Sequence, residues 1–218
     1  MRLHLYTTPN SQTVSYNNQQ LLLSTLHKWL GKNKVHDEIS LYSFSWLMNG
    51  QNVTGGLEFP SGSHWFINFY DNKLAKKCIS GINKNPKMFS GLTISQVQLQ
   101  KPPQFSKKES FQVASPVLVK YFNGKDTSHL TWEDGDKASE VMTRSLRSKL
   151  KKAGIKTKAK AKFDVGYKNP KTQLVTINNI QNRASMCPVI LEGDRQAIKF
   201  AWLVGIGHST GCGFGALK

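Results

Sequence analysis

The chain has 218 residues and carries 30 Lys and Arg against 13 Asp and Glu, a formal net charge of +17. Its apolar share of 39% is enough for a real core, and its length fits one large domain or two small ones. The charge calls for a polyanionic partner, and with no apolar run near the roughly 18–20 residues of a membrane span, nucleic acid is favoured over a membrane.

Residues 2–7 alternate like a strand and lack a signal-peptide core. Leu22, Leu23, Leu26, Trp29 and Leu30 then fall on one helical face, and Gly31 supplies a stop. Residues 41–48 alternate again as a strand. Residues 56–70 read as a hairpin turning at Ser61-Gly62-Ser63. A helix opens at Asn72 and carries Leu74, Ala75, Cys78, Ile79 and Ile82, and a strand is expected over 92–100. The order β-α-β-β-α-β is the ferredoxin-like unit. Lys101-Pro102-Pro103-Gln104 breaks the pattern and opens a linker over 101–110.

A second, similar order follows. It comprises a strand over 111–121, a helix over 134–151, strands over 157–167 and 172–181, a short helix over 194–204 and a last strand over 213–217. The expected fold is therefore α+β, with tandem ferredoxin-like domains at 1–104 and 105–218. Cys78, Cys187 and Cys212 are odd in number, far apart and form no C-x-x-C pair. Neither a disulfide framework nor a metal site is expected, and a reducing cytoplasm suits them.

Between positions 141 and 163 there are nine basic residues and no acidic one. Arg144, Arg147 and Lys151 share a helix face away from the apolar stripe. Lys158, Lys160 and Lys162 alternate with Ala159, Ala161 and Phe163, which spaces three ammonium groups along one strand face at about 6.5–7 Å. A merely soluble surface mixes charge signs, so this stretch reads as a phosphate-binding face. Trp46, Trp65, Trp132 and Tyr16 are aromatics that could stack on bases or serve the core.

The chain closes on Gly205-Ile206-Gly207-His208-Ser209-Thr210-Gly211-Cys212-Gly213-Phe214-Gly215. The spacing G-x-G-x5-G-x-G, with an apolar residue between the last two glycines, resembles the RAMP superfamily of CRISPR-associated proteins. It is most similar there to the endoribonuclease that processes precursor CRISPR RNA, the sixth Cas family. Phe111-Gln112-Val113-Ala114-Ser115-Pro116-Val117-Leu118-Val119-Lys120 resembles that family's "SPvvv" strand. The "EGD" at 192–194 followed by a short apolar helix, and Val14-Ser15-Tyr16-Asn17-Asn18 followed by a helix, extend the likeness over nearly the whole chain.

The resemblance implies a general acid/base at His27, on the first helix, and a second at His36, in the loop before the second strand. Where the family often has a lysine just before that strand, this chain has Ser40. Lys28, Lys32 and Lys34 remain as sources of the cation. His208 takes a place where many relatives carry Lys or Arg and reads as an RNA contact. Gly205, Gly207, Gly213 and Gly215 would bring backbone N–H groups to phosphates or support the active-site helix.

The implied partner is precursor CRISPR RNA, with other effector-complex subunits as further possible partners and no membrane. Paired carboxylates and H-E-x-x-H are missing, and acidic residues are few, which favours cleavage without metal or cofactor. In that chemistry the neighbouring 2′-hydroxyl attacks the phosphate, so DNA is not a substrate. The alternative is a non-catalytic RNA-binding RAMP subunit.

Overall fold

A computed structural model describes residues 1–31 and 39–218. His36, Lys32 and Lys34 lie outside the described residues.

The N-terminal half runs β1 (Arg2–Thr7), α1 (Gln19–Leu30), β2 (Tyr42–Phe44), β3 (Gln51–Val53), β4 (Gly56–Glu58), β5 (His64–Phe69), α2 (Asn72–Lys84) and β6 (Ile94–Gln100). The main sheet has the order β2-β5-β1-β6, antiparallel throughout. Helix α1 buries Leu22, Leu26, Trp29 and Leu30, and ends at Gly31 with φ 58°. The Asp71 side chain caps α2 by accepting the Lys73 N–H at 2.7 Å. Ala75, Cys78 and Ile82 face the core from α2. The two helices meet closely because position 81 has no side chain: a Cβ there would lie 2.2 Å from the Trp29 carbonyl oxygen. Helices cover one sheet face, so Leu3, Leu5, Trp65, Ile67 and Phe69 are buried beneath them. Arg2, His4, Tyr6, His64 and Phe66 alternate onto the other face.

The expected hairpin over 56–70 does not form. β4 pairs with β3, while β5 enters the main sheet between β1 and β2. The Thr54–Gly55 turn, with Gly55 at φ 85°, is what the reading passed over. The strand expected over 41–48 is regular only over Tyr42–Phe44.

The C-terminal half runs β7 (Lys108–Phe111), β8 (Val119–Phe122), β9 (Thr127–Leu130), α3 (Gly135–Lys152), β10 (Ala159–Phe163), β11 (Lys171–Ile177), β12 (Ile180–Met186), β13 (Val189–Gly193) and α4 (Arg195–Val204). Its sheet has the order β10-β13-β7, and a bridge between Val113 and Leu217 continues it beyond β7. Both halves thus have the ferredoxin-like arrangement, and the whole is a tandem α+β fold. The strand expected over 111–121 is split, because Ser115 and Pro116 cross between the halves: Ser115 Oγ donates to the Phe44 carbonyl at 3.2 Å. Two hairpins were not anticipated. β8–β9 turns at Gly124, and β11–β12 turns at Asn178 and Asn179, both with positive φ. The last expected strand reduces to the single Leu217 bridge.

A polar junction joins the two halves. The Arg2 guanidinium is buried, bonds Asn68 Oδ1 at 2.7 Å and the Leu217 carbonyl at 2.5 Å, and stacks on Phe66 and Trp202 at 4.0 and 3.8 Å. Tyr42 donates to Gly211, Ser43 to Leu203 and Trp46 to Gly213. Among the described residues, no helix is long and apolar enough to cross a membrane.

Candidate nucleic-acid interface

Helix α3 lies along β10, the edge strand of the C-terminal sheet. Val141, Met142, Leu146 and Leu150 face the core from the helix, and Ala159, Ala161 and Phe163 from the strand. That packing turns Arg144, Arg147 and Lys151 outward on the helix. Lys158, Lys160 and Lys162 are exposed beside them.

Arg144, Arg147, Lys160 and Lys162 line one cleft of about 440 Å³. Arg147, Lys151, Lys156 and Lys158 line a second of about 550 Å³, and Arg147 is common to both. The two clefts therefore form one groove walled by seven cations, with Glu140 and Glu192 as its carboxylates. Those two are spoken for. Glu140 pairs with Arg144 at 2.7 Å, and Glu192 with Lys108 at 3.1 Å and Lys162 at 3.7 Å. The Lys108 hydrogen bond and charge, with Lys162, hold the Glu192 carboxyl below its usual pKa. Arg147 and Lys160 have no ion-pair partner among the described residues.

The glycine-rich loop follows α4 into the junction. Gly205, Gly207, Gly213 and Gly215 all have positive φ. A Cβ on Gly215 would lie 1.8 Å from the Ile206 carbonyl oxygen, and one on Gly207 2.5 Å from that of Leu118. The amides of Gly205, Gly213 and Gly215 donate to Ala201, Thr210 and Pro116. These three glycines are buried, with their amides donating inside the fold. They let the loop fold tightly against β2. Gly207 is buried as well but lines the pocket described next.

That pocket, of about 380 Å³, lies between the glycine loop and the C-terminal half of α3, with Ser40, Ser145, Lys149, His208, Thr210 and Cys212 among its lining residues. Ile39 and Ser40, which follow the segment bearing His36, form one edge of it. Helix α1, bearing His27, packs against the short turn Thr210–Cys212 of the same loop. His27 is half-buried. Lys28 is exposed and directs its ammonium to the Lys87 carbonyl, beside Trp29. Partial burial lowers its pKa.

Lys149 belongs to the basic stretch between positions 141 and 163 but differs from its exposed neighbours. It is buried, and donates to the carbonyls of Val204 (3.4 Å) and Gly205 (3.2 Å) and to Thr210 Oγ1 (3.1 Å). Burial pushes its pKa down to about 7. Its spacing from Met142 and Leu146 puts it on the apolar stripe, and this was the available signal.

A second surface was also missed. On the open face of the N-terminal sheet, Tyr6 lies nearly parallel to His64 with ring centroids 4.9 Å apart, and His64 lies edge to edge with His4, nearly coplanar, at 5.1 Å. His4 Nε2 bonds Gln100 Oε1 at 2.7 Å, and its Nδ1 meets His64 Nε2 at 2.8 Å. The Gln acceptor puts the His4 proton on Nε2, so His64 donates across the pair. Burial, then the neighbouring His4, lowers the His64 pKa. Three flat rings lying side by side, rimmed by glutamines, suit stacking of an unpaired base. Period-2 alternation across β1 and β5 was the signal here. Trp65 is in the core, Trp46 is half-buried at the junction, Trp132 is half-buried, and Tyr16 is exposed.

The sequence model for the C-terminal region of CRISPR associated protein Cas6 matches residues 100–218. Among solved structures, the chain is similar to a Cas6-related protein from Pyrococcus furiosus, at 17% identity and TM-score 0.85, covering 100% of this chain and 97% of that one. It is similar to a RAMP protein that binds different RNA substrates, at 16% identity and TM-score 0.86, covering 100% and 98%. It is also similar to a Cas6 product complex, at 11% identity and TM-score 0.70, covering 99% and 98%. No curated protein sequence matches significantly.

Proposed function

Because the chain belongs to the Cas6 family of CRISPR-associated proteins, we propose that it is a metal-independent endoribonuclease that cuts precursor CRISPR RNA within the repeat. The observation that carries this reading is the family match over 100–218, a span that holds both the cationic groove and the glycine loop. The groove follows the RNA backbone through Arg144, Arg147, Lys151, Lys158, Lys160 and Lys162, and the rings of Tyr6, His64 and His4 receive unpaired bases. With the chain divided after residue 104, the first domain contributes His27 and the second the groove and loop.

Cleavage proceeds by attack of the 2′-oxygen on the adjacent phosphorus. The 2′-hydroxyl loses its proton to a base, the bond to the 5′-oxygen breaks, and an acid protonates that leaving oxygen. The products carry a 2′,3′-cyclic phosphate and a 5′-hydroxyl. Imidazoles suit both transfers because their ordinary pKa is near neutrality. His27 and His36 take these roles, with Lys28 as the cation beside the phosphorane. The reaction requires a 2′-hydroxyl, so it spares DNA.

The test is a labelled repeat RNA incubated in EDTA with wild-type and His27→Ala protein, beside a substrate with one 2′-deoxy residue at the cut. Wild-type cleavage that is lost on the deoxy substrate and slowed at least about 100-fold by His27→Ala supports the mechanism. Cleavage surviving both changes sinks it. The likeness to a RAMP protein described by the RNA it binds supports a second reading, a non-catalytic subunit of an effector complex. Tight binding without turnover would select that reading.

A further inference from the structure

Two residues of α3, one helical turn apart, grip the glycine loop on either side of His208. Ser145 Oγ donates to the Gly207 carbonyl at 2.9 Å. Lys149 donates to Val204 and Gly205 before the histidine and to Thr210 after it. From the opposite side, the His208 N–H donates to the Leu118 carbonyl at 2.7 Å, and the Lys120 N–H donates to His208 Nδ1 at 3.1 Å. We propose that Lys149 is a positioning residue for RNA cleavage: it ties the end of α4 to the Thr210 turn and so holds the His208 imidazole, Nε2–H outward, against an RNA phosphate. The proposal rests on the cleavage reading above.

The tautomer follows from the contacts. A backbone N–H can only donate, so Nδ1 must carry the lone pair and the neutral ring carries its proton on Nε2. The ring lines the pocket shared with Ile39 and Ser40. Burial, then the charge of Lys149, with Lys120 in addition, lowers the His208 pKa against the opposing effect of a backbone hydrogen bond at Leu118. The ring therefore stays neutral at physiological pH. Its task is that of a fixed hydrogen-bond donor toward charge building on phosphate oxygens, leaving proton transfer to other groups.

The chemistry at position 149 calls for an ammonium. The carbonyls of Val204 and Gly205 end α4 and need donors from outside the helix. In its protonated form the amine supplies three donors, and the negative end of the helix favours that cation against the burial that brings its pKa down to about 7. No carboxylate lines the pocket among the described residues. At 4% exposure the ammonium is sealed from the RNA, so its effect must pass through the loop.

The test compares wild type, Lys149→Met, His208→Ala and the double variant, using single-turnover cleavage at saturating repeat RNA, RNA affinity, and 15N NMR of the histidine rings. Each single change is expected to slow cleavage about 10–100-fold with affinity within about twofold, and the double variant to lose no more than His208→Ala alone. The His208 spectrum of wild type should report one Nε2–H tautomer, and that of Lys149→Met a mixture. Losses that multiply in the double variant, weakened affinity at an unchanged rate, or an unaltered tautomer in Lys149→Met would each overturn the proposal. Should Lys149→Met fail to fold, Ser145→Ala combined with Thr210→Val loosens the same grip and is read the same way. Wild-type protein that binds the repeat without cutting it sinks the cleavage reading instead, and the NMR arm then decides alone whether Lys149 holds the ring.

Discussion

Thr143 and Ala161 exchange two hydrogen bonds: the hydroxyl donates to the Ala161 carbonyl at 3.2 Å and accepts its N–H at 3.0 Å. The exchange satisfies backbone groups that an edge strand would otherwise leave open, and it straps α3 to β10. Arg147, one turn along the helix, is thereby set against Lys160 in the same groove.

Within that groove the cations should not count equally. Arg147→Ala and Lys160→Ala remove charges without an ion-pair partner among the described residues. Each should weaken RNA binding and lower the slope of log affinity against log salt by about 0.7–0.9. Arg144→Ala and Lys162→Ala remove charges already paired with Glu140 and Glu192, and should cost less. Equal losses at all four positions would contradict the groove as described. Filter binding across a salt series measures this.

Glu192→Gln should have the opposite sign. That carboxylate holds Lys108 and Lys162. Its removal releases both ammonium groups toward the RNA, so affinity should rise and its salt dependence steepen. Weaker binding by the same assay would mean that Glu192 orders the lysines rather than competing for them.

The ring surface on the N-terminal sheet should behave differently from the groove. Tyr6→Ala should weaken binding of single-stranded RNA by about 1–3 kcal/mol, as loss of a base stack does. The salt slope should stay constant, because no phosphate contact is lost. A reduced slope would place a phosphate there instead.

Folding stability should fall on acidification. His64, His129 and His208 each have lowered pKa values, with burial the leading cause. Below the ordinary imidazole pKa of 6.5 the unfolded chain takes up protons that the folded chain resists. The midpoint of thermal unfolding should therefore climb from about pH 5 to about pH 7, and His64→Asn should flatten part of that climb. A midpoint that is level or falling over this range would be inconsistent with three half-buried rings of lowered pKa.

The tandem ferredoxin-like order could be read from the chain because Leu22, Leu26 and Trp29 recur at helical spacing, while Ala159, Ala161 and Phe163 alternate with lysines. Both patterns are local. The errors arose where the local signal is weak or the partner is remote. Gly55 and the Asn178-Asn179 pair set hairpins through positive φ, a weaker signal than apolar periodicity. Lys149 looked like one more member of a basic run. Only the carbonyls at the end of α4, over 50 residues away in sequence, explain its burial. The glycines were noticed as a cluster, but density alone does not distinguish a loop that opens to a ligand from one closing on Phe44 and the Leu118 carbonyl.

The bond from Arg2 to the Leu217 carbonyl also has a meaning for biosynthesis. Arg2 cannot complete its set of partners until Leu217, 215 residues later in the chain, has been added. Through most of synthesis, a cation meant for the interior must stay in water and keep the sheet face around Phe66 open. Chaperones that bind exposed aromatic surface would meet that face on the nascent chain. Emergence of the segment bearing Leu217, rather than of the first half, then sets the moment at which the two halves lock.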